Sequence, residues 1–90
     1  MAPIRDNTAL ARYELDAGGA TAVLNYRIVD GVMALVHTET PVQACGQGIA
    51  SRLVERALDD ARTRGLKVAP RCPFVRAYMD QHPEFADLLA

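Results

Sequence analysis

The stretch Thr40-Pro41-Val42-Gln43-Ala44-Cys45-Gly46-Gln47-Gly48-Ile49-Ala50-Ser51 decides how the chain is read. A run with strand-like alternation ends at Pro41, two glycines follow, and helical periodicity begins almost at once. That is the design of an anion-binding loop. The first amides of a helix have no intrahelical acceptor and lie at the positive end of its dipole, and glycines let a phosphate approach the backbone without meeting a Cβ. Two glycines before a helix also describe a plain tight turn, so the flanking sequence has to separate the two readings.

On the C-terminal side, Ala50, Leu53, Val54, Ala57, Leu58 and Ala61 recur at the spacing of one apolar helical stripe. Ser51, Arg52, Glu55, Arg56, Asp59, Asp60 and Arg62 lie off it. A helix is predicted from Gly48 to Arg64, with an Asp60–Arg64 pair at i, i+4 and Gly65 as the residue that ends it. On the N-terminal side, Ala11, Tyr13 and Leu15 alternate with Arg12, Glu14 and Asp16, the period of a half-buried strand. Gly18-Gly19 supplies a turn. The run from Ala20 to Val29 puts Ala22, Leu24, Tyr26 and Ile28 on one face, and Asp30-Gly31 is a strong hairpin signal before a third strand from Val32 to Thr40. Residues 1–8 read as a frayed, flexible polar lead.

Beyond the long helix, Leu66 to Ala69 is short and apolar, and Pro70 and Pro73 bracket Arg71-Cys72, so a strand there must be brief. Pro73 suits the first turn of a helix whose apolar face is Phe74, Val75, Tyr78 and Met79. The tail carries Phe85, Leu88 and Leu89 and reads as a last helical turn over the core. The order is β-β-β-α-β-α in a single domain spanning 1–90. It is an α+β architecture: a three-stranded antiparallel meander, a crossover helix, a fourth strand parallel to the third, and C-terminal helices.

Ninety residues allow one small core. With Lys+Arg at 10 against Asp+Glu at 11, no long-range field gathers nucleic acid or an anionic membrane, so any phosphate must be held locally. The longest aliphatic run, Val32 to Val36, is far short of the roughly 20 residues of a membrane span. The N-terminus lacks a hydrophobic signal core, which places the protein in the cytoplasm and makes its 2 cysteines free thiols. His37, His82, Cys45 and Cys72 show no metal-ligand spacing, and no metal is expected.

Gln43-x-x-Gly46-x-Gly48, after a strand and opening a long helix, resembles the Gln/Arg-x-x-Gly-x-Gly/Ala motif of the GNAT superfamily of acyl-CoA-dependent N-acetyltransferases. Three further blocks are similar, in order, to its minimal single-domain group, the N-acetyltransferase domain-containing protein 1 type. They are His37-Thr38-Glu39-Thr40-Pro41, the stretch from Gly65 to Val75, and His82-Pro83-Glu84-Phe85. The resemblance covers about residues 11 to 90 and implies a truncated GNAT fold, acetyl-CoA as cofactor and transfer of acetyl to an amine. It implies that backbone amides of Gln43, Cys45, Gly46, Gln47, Gly48, Ile49 and Ala50 cradle the pyrophosphate of coenzyme A. The pantetheine arm would run beside Glu39 and Thr40, where the strands on either side of the helix splay, and its thioester would end near Cys72. An ordinary GNAT domain is much longer, so the acceptor site here must be shallow or completed by a second subunit. An open site suits a large acceptor such as a protein amine.

Acetyl transfer needs a held carbonyl, a route for the ammonium proton and stabilisation of an oxyanion. His37 and Glu39 share a face of the third strand if it stays extended and are candidate proton acceptors. Cys72 is a candidate covalent nucleophile, with Arg71 and the start of the next helix placed to lower its pKa. Tyr78 matches a position where GNAT enzymes keep a tyrosine as general acid. Each has a plain reading too: an inert buried thiol for Cys72, packing for His37, core for Tyr78. Direct attack by the amine is the expected mechanism. The alternative function is a coenzyme A-binding module without catalysis, acting as sensor or protein partner.

Overall fold

Asp30 and Gly31 both have positive φ, 51° and 78°, and this turn folds the two longest strands back on each other. The computed structural model, which describes residues 3–42, 46 and 48–90, builds outward from that hairpin. Its elements are β1 (Arg5–Asn7), β2 (Arg12–Ala17), β3 (Ala20–Val29), β4 (Val32–Glu39), α1 (Ile49–Thr63), β5 (Lys67–Pro70) and α2 (Pro73–Gln81), then a 3₁₀ segment, Pro83–Leu88. The strands form one sheet in the order β1-β2-β3-β4-β5. All neighbours are antiparallel except β4 and β5, which run parallel because α1 carries the chain back across the sheet. The α+β architecture anticipated from the hydrophobic pattern is therefore present, with one strand more.

The extra strand lies within the stretch read as a polar lead and takes Arg5–Asn7 out of it. Arg5, Asp6 and Asn7 pair with Glu14, Tyr13 and Arg12. Polar contacts hold them: Arg5 donates to Glu14 at 3.1 Å and Asp16 at 3.0 Å, Asn7 donates to Glu14 at 3.1 Å, and the Tyr26 hydroxyl donates to Asp6 at 2.7 Å. Hydrophobic periodicity carries no trace of such bonds.

Both helices and the 3₁₀ segment pack on one face of the sheet. Leu53, Val54, Ala57, Leu58 and Ala61 of α1 are fully buried against Tyr13, Leu15, Leu24, Met33 and Leu35, with Val75, Phe85 and Leu88 closing the same core. Gly65 ends α1 as expected, with the Leu66 amide donating to Ala61 O at 2.8 Å. The expected Asp60–Arg64 pair does not form. Asp60 instead accepts from Arg56 at 3.1 Å and from the buried Tyr13 hydroxyl at 2.8 Å, because the sheet presents Tyr13 on that side of the helix. Among the described residues, no helix covers the opposite face of the sheet, and none is long and apolar enough to cross a membrane.

One irregularity positions the site. Tyr26 pairs with Leu35, but the next residue back on β3, Asn25, pairs with His37, so Val36 is an extra residue in β4. Such a bulge shifts the alternation by one. Before it Met33 and Leu35 face the helices; after it Thr38, opposite the buried Leu24, faces them instead.

Candidate functional site

The β4–β5 ladder ends at Leu35–Pro70. The amides of Arg71 and Cys72 both donate to Leu35 O at 3.0 Å, and the chain then turns into α2, away from β4. Past this point β4 still pairs with β3 through Glu39 but has lost β5 on its other side. The gap opens into a cleft of about 430 Å³ on the helix side, lined by Thr38, Thr40, Gly46, Gly48, Ile49 and Phe74, with Ala50 and Ser51 behind.

At one end of the cleft lies the glycine turn. Gly46 and Gly48 have φ of 86° and 73°, and a Cβ built on either would meet nothing within 4 Å. The glycines are thus required by backbone conformation, not by crowding within the protein. Gly48 caps α1 without a side chain, and no acidic residue occupies the first turn, so the dipole's positive end is uncompensated there. The first intrahelical bond is Arg52 N–H to Gly48 O at 3.1 Å, so the amides of Ile49, Ala50 and Ser51 have no intrahelical acceptor among the described residues. The end of the cleft is suited to an anion.

Near the gap sits Cys72, buried, reduced and the residue that caps α2 ahead of Pro73. Its Sγ is 3.6 Å from Thr38 Oγ1. Burial pushes the thiol up, but the Val75 amide, the Thr38 hydroxyl and the Phe74 amide outweigh it, so the pKa falls below the ordinary thiol value. The sulfur makes no full capping hydrogen bond; the amides at the start of α2 act as dipoles aimed near it. Arg71, expected to contribute, takes no part, since its side chain lies on the helix-free face of the sheet.

The other predicted residues are distributed around this cleft. Thr40, Gly46, Gly48, Ile49 and Ala50 line it. Gln43, Cys45 and Gln47 lie outside the described residues. The bulge places His37 and Glu39 together on the helix-free face, both exposed, so the structure does not bring them beside Cys72 on the helix side. Tyr78, one turn beyond Phe74 on α2, does not line the cleft. Its ring stacks on His82 at 3.9 Å, and His82 Nδ1 bonds the Tyr78 carbonyl at 2.7 Å. Burial and then Glu55, Glu84 and Asp59 hold its hydroxyl protonated.

Three lining residues escaped sequence reasoning: Thr38, Ser51 and Phe74. Phase is the reason. Strict alternation puts Thr38 opposite His37, and no letter in Leu35-Val36-His37 announces a bulge. Helical spacing puts Phe74 on the apolar face of α2, yet it is 40% exposed and forms a wall of the cleft.

A family model described as GCN5-related N-acetyl-transferase matches residues 12–88 of the chain. The solution structure of a Staphylococcus aureus protein assigned as a GCN5-like N-acetyltransferase superimposes with a TM-score of 0.74 at 20% identity, covering 99% of this chain and 88% of that one. At that identity the likeness concerns the fold. No curated protein matches the chain significantly.

Proposed function

The chain belongs to the GCN5-related N-acetyltransferase family, and on that premise we propose that it is an acetyl-CoA-dependent N-acetyltransferase of the minimal single-domain type. The observation that carries the proposal is the alignment of three features along one cleft. An uncompensated helix N-terminus behind two left-handed glycines stands at one end, a strand edge released from its neighbour runs along the side, and a buried thiol stands near the gap. This donor set fits coenzyme A: amides for a pyrophosphate, main-chain groups for an amide-bearing arm, and a narrow exit for a thioester.

In this reading Gly46, Gly48, Ile49 and Ala50 hold the phosphates, together with Gln43, Cys45 and Gln47. Thr40 and the backbone of Glu39 flank the arm. Bound acetyl-CoA would supply an activated acetyl group. Phe74 excludes water from the helix side. The helix-free face is left for the amine, and there the exposed imidazole of His37 accepts the ammonium proton at a ring nitrogen, with a carboxylate oxygen of Glu39 as the alternative acceptor. Cys72 Sγ, with its lowered pKa, is the rival covalent nucleophile, and Tyr78 keeps its proton as a candidate acid at the rim.

The first test is thermal unfolding with coenzyme A. Ligand at a hundred times its dissociation constant should stabilise the native state by about 2.7 kcal/mol, and no shift at saturating concentration would end the coenzyme reading. Acetyl transfer by Cys72→Ala, His37→Ala and Glu39→Gln then assigns the chemistry: loss in the latter two with Cys72→Ala active supports direct attack. Coenzyme binding with no transfer to any amine would favour a non-catalytic sensor or partner module.

A further inference from the structure

The helix-free face of the sheet holds a second depression, of about 740 Å³. Its floor is two alanines, Ala34 and Ala69, paired across β4 and β5. Val29, Val32 and Val36 rise around them, so the dent exists because the middle of the face lacks side-chain bulk. Arg27, the cross-strand partner of Ala34, and Arg71, two residues past Ala69, both line it. Neither guanidinium has an ion pair or side-chain hydrogen bond among the described residues, whereas Arg5, Arg12, Arg56 and Arg62 all do.

The depression reaches the gap already described. Val36 is the residue after Leu35, and Arg71 the residue after Pro70, so both stand where the β4–β5 ladder opens. Beyond Val36 on the same face come His37 and Glu39. Asp30, at the hairpin turn, and Ala90 also line the depression, so the two arginines share it with one carboxylate, and the face continues from Arg27 and Arg71 to the imidazole and carboxylate at the gap. On β3 the row of Arg27 and the row of Asn25, which partners His37, are two residues apart, about 7 Å at the rise of a strand.

We propose that this depression is the acceptor subsite and that it takes a small amine carrying an anionic group, a carboxylate or a phosphate. The anion lies over Ala34 and Ala69 between Arg27 and Arg71, and the amine points toward His37 and Glu39 at the gap. This rests on the reading of the helix-side cleft as the coenzyme site, because only that reading puts a thioester at the gap. A planar guanidinium recognises carboxylate and phosphate alike, so the arginines define the class and not the member.

The test is an NMR titration of the full chain, with and without coenzyme A. γ-Aminobutyrate and O-phosphoethanolamine are the probes, and butylamine and ethanolamine are the controls that lack the anion. The anionic amines should shift the signals of Arg27, Ala34 and Ala69 and bind at least about tenfold more tightly than their controls, with Arg27→Gln and Arg71→Gln each removing about that factor. The coenzyme-induced thermal shift should stay as in the parent. A preference for one probe over the other tells phosphate from carboxylate. Equal binding of anionic and neutral amines, or anionic binding indifferent to both arginine replacements, would overturn the proposal. The titration without coenzyme gives its answer whether or not coenzyme A binds; a missing coenzyme shift counts against the cleft alone.

Discussion

Gly48→Ala is the perturbation whose outcome follows most directly from the geometry. Gly48 holds φ 73° and ψ 15° at the start of α1, and an added Cβ would meet nothing within 4 Å. Steric clash thus contributes nothing, and the whole cost is that of a left-handed backbone for an L-residue, about 1–2 kcal/mol. Alanine also stiffens the unfolded chain, which returns about 0.4–1 kcal/mol. The net loss should be about 1 kcal/mol, or about 4–8 °C in Tm for a domain of this size. Gly48→Asn is the control, because asparagine tolerates the left-handed region and its side chain can cap the helix, so it should lose less than alanine. Urea unfolding of the three proteins measures both differences. In addition, the alanine methyl stands at the anion end of the cleft, so the stabilisation by coenzyme A should shrink by more than the change in folding stability. An alanine variant as stable as the parent, or an asparagine variant no better than alanine, would refute the reasoning.

Tyr13→Phe removes the buried hydroxyl that donates to Asp60 at 2.8 Å, and a loss of about 1 kcal/mol is expected by urea unfolding, since Asp60 keeps Arg56. Leu53→Ala, at a fully buried position, should cost about 3 kcal/mol in the same assay. Alkaline titration followed by tyrosinate absorbance has a fixed sign. Burial and then Asp6 push Tyr26 up to about 12, and burial and then Asp60 raise Tyr13 further. The folded state holds these protons more tightly than the unfolded chain, so the stabilisation is complete below about 10 and is lost as pH rises toward 12. Tyrosinate should appear late and together with unfolding; ordinary titration near 10 in a folded protein would contradict the packing. Thr38→Val should move the pH profile of Cys72 alkylation to higher pH, since a hydroxyl that lowers the thiol pKa is gone, and an unchanged profile would remove Thr38 from the site.

Several elements were legible in the letters because each is a local property. The stripe from Leu53 to Ala61 predicts α1, and Asp30-Gly31 predicts the hairpin at its observed place. Pro73 predicts the start of α2, and a helix between two strands predicts the parallel β4–β5 pair. The glycine turn is local too. Five of the residues named from the sequence, Thr40, Gly46, Gly48, Ile49 and Ala50, line one cleft, beside a helix that begins as expected. What was missed is non-local: the pairing of Arg5–Asn7 depends on Glu14, Asp16 and Tyr26, and the partner of Asp60 depends on which side of α1 Tyr13 reaches.

The sequence by itself determined the order of the elements from β2 onward, the place of the glycine turn at Gly46 and Gly48 ahead of α1, and membership of an acetyltransferase family over residues 12–88. Only the tertiary structure decided which side chains share a face at the gap. A single extra residue, Val36, exchanges Thr38 for His37 on the helix side and turns Glu39 away from Cys72. The physical reason is that strand alternation has a period of two, so one bulge reverses every side chain beyond it. That bulge is set by the partner strand, which no window along β4 contains.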